Sequence, residues 1–145
     1  MSRILVAYDD TPQSKAALEH ALTTYADDVI HIIHVNDPRE WSSGGRLGGG
    51  FYYSEEDFEE AEAAAEECLE TAEAMADAHN VTPETALVFG HAAEEIVRYA
   101  EEHDIEHVVL GSHGRSGLER FLLGSVAERV SHRAPCSVTI IRAAV

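Results

Sequence analysis

The sequence predicts an α/β protein: a single domain over residues 1–145, built on an open five-stranded parallel sheet with helices on both faces. Three observations carry this expectation. Apolar, strand-forming runs alternate with helical patterns five times along the chain. The strand runs lack strict alternation of apolar and polar residues, as strands covered on both faces do. No internal repeat or second domain interrupts the pattern, and 145 residues with 45% apolar content suffice for one substantial core.

The elements follow in order. Residues 3–8, RILVAY, make a first strand. DDTPQSKAALEHALTTYA then opens a helix, with Asp10 or Thr11 as cap and Pro12 in the first turn. Ala17, Leu18, Ala21, Leu22 and Tyr25 recur at helical spacing within it. Residues 29–35, VIHIIHV, read as the second strand. A glycine-rich loop runs from Asn36 to about Ser54, too long for a mere connector. An acidic helix over 55–79 follows, with Phe58, Ala61, Ala65, Cys68, Leu69, Ala72, Met75 and Ala76 as its apolar stripe. TALVF at 85–89 is a third strand. Gly90 turns into a helix whose inner side is Ala93, Ile96, Val97 and Ala100. HVVLG is a fourth strand, and VAERVSHRA and SVTIIR supply the last helix and strand.

Charge narrows the function classes. The formal net charge is −17, from 27 acidic and 10 basic side chains, and Lys15 is the only lysine. Such a chain repels nucleic-acid phosphates and anionic membranes, so neither is an expected partner. Acid excess with almost no lysine points to a halophilic setting. At ~1 M salt the screening length falls to roughly 3 Å, and self-repulsion becomes tolerable. Cys68 and Cys136 form no disulfide framework or CxxC pair, no leader-like segment opens MSRILVAYDD, and no apolar run approaches membrane-spanning length. The expected location is the cytoplasm.

Residues 111–126, GSHGRSGLERFLLGSV, concentrate the functional signal. In open α/β sheets ligands sit beyond the C-terminal strand ends, where the strand order reverses. Asp9 and Asp10 lie just past the first strand, and Gly111 closes the fourth. If those strands are central neighbours, they face one crevice. Glycines there let main-chain N–H groups approach an anion without Cβ obstruction. Gly124 and Ser125 introduce a helix whose N-terminus favours phosphate, and Arg115 can add a charge-assisted contact. Each residue has a plainer role too. Asp9 can cap the following helix, Gly111 and Gly114 can serve only as turn residues, Ser125 only as a cap, and Arg115 can sit in solvent.

Gly111-x-x-Gly114, nine residues, then Gly124-Ser125 resembles the nucleotide-binding pattern of the universal stress protein family. ILVAYDDTPQS is similar to that family's first strand and helix start. GHAAEEIVRYAEEHDIEHVVLGSHGRSG and LLGSVAERVSHRAPCSVTIIR are similar to its second half. The resemblance implies a Rossmann-like, adenine nucleotide alpha-hydrolase-like fold and an ATP site. It implies that Asp9 meets the adenosine end, that Ala7 and Val35 line the adenine pocket, and that Leu110 and Gly111 lie near the ribose. Gly114, Gly124, Ser125 and Val126 then hold the phosphates through main-chain N–H groups and the Ser125 hydroxyl. A divalent ion such as Mg²⁺ is expected to bridge those phosphates. The implied function is a nucleotide-dependent stress-response module with a regulatory protein partner not named by the sequence. The rival readings are a weak ATPase or phosphotransferase and a dimeric binder of AMP or cyclic AMP. No convincing general base or arginine finger is present, so strong catalysis is not expected.

The nine histidines show no metal-binding pairing, and hydrogen-bonded or solvated roles are expected. His31 and His34, three apart in a strand, should point to opposite faces. His113, in the glycine loop, has three open roles: phosphate contact, a base, or simple exposure. Trp41, Phe51, Tyr52 and Tyr53 either fold over an adenine or pin the long loop. Finally, SVTIIR should form a sheet edge, and an apolar edge is a hazard unless paired. A homodimer through residues 137–142 is therefore expected.

Overall fold

The computed structural model describes residues 1–37, 46–47, 50–51, 55–113 and 123–143. Five strands form one wholly parallel sheet: β1 (Arg3–Ala7), β2 (Val29–Asn36), β5 (Glu84–Phe89), β6 (His107–Gly111) and β7 (Ser137–Ile141), in the order β5-β2-β1-β6-β7. The expected architecture is the observed one. The reading of 36–54 as loop alone needs correction. It holds an antiparallel pair, β3 (Arg46–Leu47) with β4 (Gly50–Phe51), in register Arg46 to Phe51 and Leu47 to Gly50.

Four helices cover the sheet: α1 (Pro12–Thr24), α2 (Glu55–Ala78), α3 (Ala92–Glu102) and α4 (Ser125–Arg133). Strand periodicity sorts the core into two halves. Ile4, Val6, Ile30, Ile32 and Val109 pack under α1 and α2, against Leu18, Leu22, Cys68, Leu69 and Ala72. Leu5, Ile33, Val108 and Leu110 face the other way, onto Ile96 and Ala100 of α3 and Ala127 and Val130 of α4. Apolar residues on both faces explain the absence of alternation in the sequence. His31 and His34 obey the same rule: His31 meets Tyr99 of α3, and His34 meets Cys68 of α2.

The helices start where local chemistry allows. Thr11, in an extended conformation, caps α1 by accepting the Ser14 N–H at 3.2 Å, and Pro12 occupies the first turn. Asp10 does not cap; it takes φ 65, a left-handed value that Asp tolerates better than most residues. The α2 stripe is buried at Ala65, Cys68, Leu69, Ala72 and Ala76. Phe58 departs from that stripe: it is 44% exposed and stacks on Phe89, with ring centroids 5.2 Å apart. It lies near the start of α2, against the last residue of β5.

Both edge strands have distinct character. β5 pairs only with β2, and β7 only with β6, among the described residues. No described helix is long and apolar enough to cross a membrane.

Candidate functional site

The strand order fixes where a ligand can sit. From β1 the chain crosses to β2 on one side, and β6 pairs with β1 on the other. β1 and β6 therefore flank the point where the order reverses, and a crevice opens beyond their C-terminal ends. A cavity of about 340 Å³ occupies that place.

The described members of the sequence-derived set all line it: Ala7 and Asp9 after β1, Val35 near the end of β2, Leu110 and Gly111 closing β6, and Gly124, Ser125 and Val126 at the start of α4. Gly114 and Arg115 lie outside the described residues, as do Trp41, Tyr52, Tyr53 and the side chain of Phe51. The geometry brings together four segments that are distant in the chain, from Ala7 to Val126.

Local chemistry positions each wall. Asp9 accepts hydrogen bonds on Oδ1 from the Thr11 main chain at 3.2 Å and the Thr11 hydroxyl at 2.5 Å, while its own N–H donates to Ser14 Oγ at 3.2 Å. The residue thus orders the turn into α1 by holding Thr11, which is the cap in its place, and it also lines the cavity. Gly111 is not a turn residue. It ends β6, and a Cβ built there would lie 2.6 Å from Gln13 Cβ and 2.8 Å from the Gln13 carbonyl carbon. Its missing side chain lets α1 begin directly against the strand, which holds the two cavity walls together.

The floor of α4 is set by one main-chain bond. Gly124 N–H donates to Ser112 C=O at 2.7 Å, tying the helix start to the end of β6. Gly124 caps α4 in an extended conformation with no side-chain cap bond, and Glu128 N–H to Gly124 C=O is the first helical bond. The N–H groups of Ser125, Val126 and Ala127 consequently have no partner within the helix. They bring the positive end of the helix dipole to the cavity.

Several lining residues escaped the sequence reading. Tyr8, buried between strand and α2, donates its hydroxyl to Asp10 Oδ1 at 3.0 Å; burial first, and then Asp10, push that phenol well above its ordinary pKa. His34 Nδ1 lies 2.8 Å from Tyr8 C=O, and because a carbonyl only accepts, Nδ1 carries the proton. Asn36 Nδ2 donates to Ala61 C=O at 3.1 Å, fixing α2 over the cavity. Asp37 is buried, with Oδ2 3.8 Å from His91 Nδ1. Arg129 of α4 also lines the cavity. Some of these were legible: Asn36 ends β2 and Asp37 follows it, at the same sheet end as Asp9, and Arg129 lies four residues, one helical turn, after Ser125. Tyr8 and His91 carried no signal beyond residue type. Among the described residues no group of three His, Cys, Asp or Glu is arranged to hold a metal ion.

A parallel sheet with a cavity at its reversal point, lined on one side by a helix N-terminus, defines a doubly wound α/β protein. Comparison with known proteins places it more closely. The sequence profile described as the universal stress protein family matches residues 1–142. Universal stress protein MJ0531 of Methanocaldococcus jannaschii is 33% identical over 142 residues, which cover 97% of this chain and 81% of the relative. Universal stress protein YxiE of Bacillus subtilis is 31% identical over 146 residues, covering 97% and 99%. The solved structure of MJ0577, a universal stress protein of M. jannaschii, superposes with a TM-score of 0.78 at 26% identity, covering 99% of this chain and 97% of that one. An Arabidopsis thaliana family protein with AMP bound shares the fold at 21% identity and TM-score 0.71, covering 100% and 94%. An Archaeoglobus fulgidus universal stress protein in complex with dAMP does so at 24% and 0.69, covering 97% and 98%. The chain belongs to the universal stress protein family.

Proposed function

We propose that this chain binds an adenine nucleotide, ATP with a divalent ion such as Mg²⁺, and acts as a nucleotide-dependent regulatory module of the stress response. The observation that carries the reading is the convergence of Asp9, Gly111, Gly124, Ser125 and Val126 on one cavity at the sheet's reversal point. The cavity lies within the size range of small-molecule sites. Its chemistry fits a nucleotide: aliphatic Ala7, Val35 and Ile96 offer a surface for a base, while the α4 N-terminus offers N–H donors for phosphate. Gly114 and Arg115 belong to the same proposed phosphate cradle. The fold's occurrence with AMP and with dAMP supports the same ligand class and makes AMP the specific competitor of the ATP reading.

Calorimetric titration with ATP, AMP and cyclic AMP, with and without Mg²⁺, tests it. The expected result is saturable ATP binding that Gly124→Val abolishes, since a branched side chain stands where the phosphate must approach. Asp9→Asn keeps an acceptor for Thr11 and so preserves the turn, but alters adenosine affinity. Binding of AMP alone would shift the assignment to monophosphates; no response to any adenine compound at millimolar concentration would end it. Bound nucleotide that survives prolonged incubation distinguishes a binder from a slow ATPase.

The proposal extends to assembly and setting. β7 is an apolar sheet edge, and pairing it with its own copy through residues 137–142 would satisfy its outer main-chain groups in a homodimer. A net charge of −17 fits a protein working in the cytoplasm at high salt.

A further inference from the structure

His113 lines the cavity two residues beyond the end of β6. It is 7% exposed, so it is not the solvated loop histidine that its glycine-rich setting suggests. It lines the cavity, and its chain neighbour Ser112 is the residue whose carbonyl anchors the α4 cap through Gly124 N–H. Ser112 Oγ lies 3.1 Å from His113 Nδ1. Among the described residues, His113 Nε2 is a buried nitrogen with no hydrogen-bond partner.

The direction of the Ser112 bond decides what Nε2 can do. Ser112 is 2% exposed, and the His113 ring is the partner the structure gives its hydroxyl. If Nδ1–H donated to Oγ, two groups would remain unmet: the buried Ser112 O–H and the Nε2 lone pair. If Ser112 O–H donates to Nδ1, a single group remains, the Nε2–H. Buried polar groups without partners are costly, so the arrangement with fewer of them prevails. Nε2 then carries a proton, and in this neutral tautomer it is a donor and not a base. A lone buried donor beside a helix N-terminus calls for an acceptor rich in negative charge.

We propose that His113, held by Ser112 in its Nε2–H tautomer, donates a hydrogen bond to a phosphate oxygen of the bound ligand, as the side-chain complement of the α4 main-chain donors. This rests on the nucleotide reading above for the ligand's identity, but not for the donor's chemistry. It also assigns His113 a binding role in place of general-base catalysis.

The test compares wild type, His113→Ala and His113→Gln in titrations with ATP, adenosine and inorganic tripolyphosphate. The Gln side-chain amide can place an N–H close to the position of imidazole Nε2. His113→Ala is expected to weaken ATP and tripolyphosphate roughly 10- to 100-fold, the range for a hydrogen bond to a charged group, and to leave adenosine unchanged. His113→Gln should recover most of that loss. Unchanged ATP affinity in His113→Ala, or an equal loss for adenosine, overturns the proposal. Long-range ¹⁵N spectra of the wild-type histidines give a reading that needs no variant. His113 should show protonated Nε2 and unprotonated Nδ1 before ligand, with Nε2–H shifting on ATP or tripolyphosphate but not on adenosine; the opposite tautomer sinks it. If wild type binds tripolyphosphate but neither ATP nor adenosine, the nucleotide reading falls and the His113 donor stands or falls on the tripolyphosphate titration. If wild type binds none of the three, both fall.

Discussion

Single residues set the tolerances of this molecule. Gly111 is one: the Cβ of an alanine there would sit inside contact distance of Gln13 main chain, which cannot rotate away. Gly111→Ala should therefore destabilise the fold by about 1–3 kcal/mol, as overpacking does, measured by urea unfolding. His31 is another. It is buried between β2 and α3, with Nδ1 2.7 Å from the Tyr99 hydroxyl and Nε2 3.1 Å from Glu84 Oε2 but out of hydrogen-bond alignment with it. Burial lowers its pKa from the usual 6.5, outweighing Glu84, which acts to raise it. His107 is lowered as well, by burial and by His20. The unfolded chain takes up these protons near pH 6.5 while the folded chain resists, so stability held above that pH is lost as pH falls below it. Between pH 7.5 and 5, His31→Gln should lose less stability relative to its own value at pH 7.5 than wild type does, measured by urea midpoints; an equal or greater loss would contradict this. Tyr99→Phe leaves His31 Nδ1 without its partner and should cost about 1–3 kcal/mol at neutral pH.

At the scale of elements, the β1–α1 turn joins stability to the site. Thr11 caps α1, and Asp9 holds Thr11. Thr11→Ala should cost about 1 kcal/mol in thermal or urea unfolding, the usual loss for a helix N-cap. Because the same turn presents Asp9 to the cavity, this variant should also weaken ligand binding, though its side chain is absent from the cavity wall. α2 shows the reverse case. Its stripe was legible from apolar spacing, but Phe58 follows that spacing and still stacks on Phe89 at the surface. Periodicity reports which residues share a helix face; it does not report what that face meets along its length.

For the whole molecule, charge is the governing quantity. With 27 acidic residues against 10 basic, and exposed glutamates along α2, the folded chain repels itself at low ionic strength. Raising salt from ~0.1 M to ~1 M shortens the screening length from roughly 10 Å to 3 Å. The melting temperature should rise over that range; a flat or falling response would reject the proposed high-salt setting. The proposed β7 pairing predicts a species of twice the chain mass by light scattering, stabilised by salt for the same reason.

The sequence by itself determined the sheet, its parallel sense and the helices on both faces. It did so because each apolar run had to bury both of its faces, and period and run length state that locally. It also marked Asp9, Gly111, Gly124 and Ser125, because strand ends and helix starts have recognisable chemistry. Only the tertiary structure decided that Gly111 makes room for Gln13, that Asp37 and His91 meet across the cavity, and that His113 is buried with a nitrogen unpaired among the described residues. Those facts depend on approach between segments distant in the chain. Burial and pairing are properties of the space around a side chain, and no local pattern of residues encodes that space.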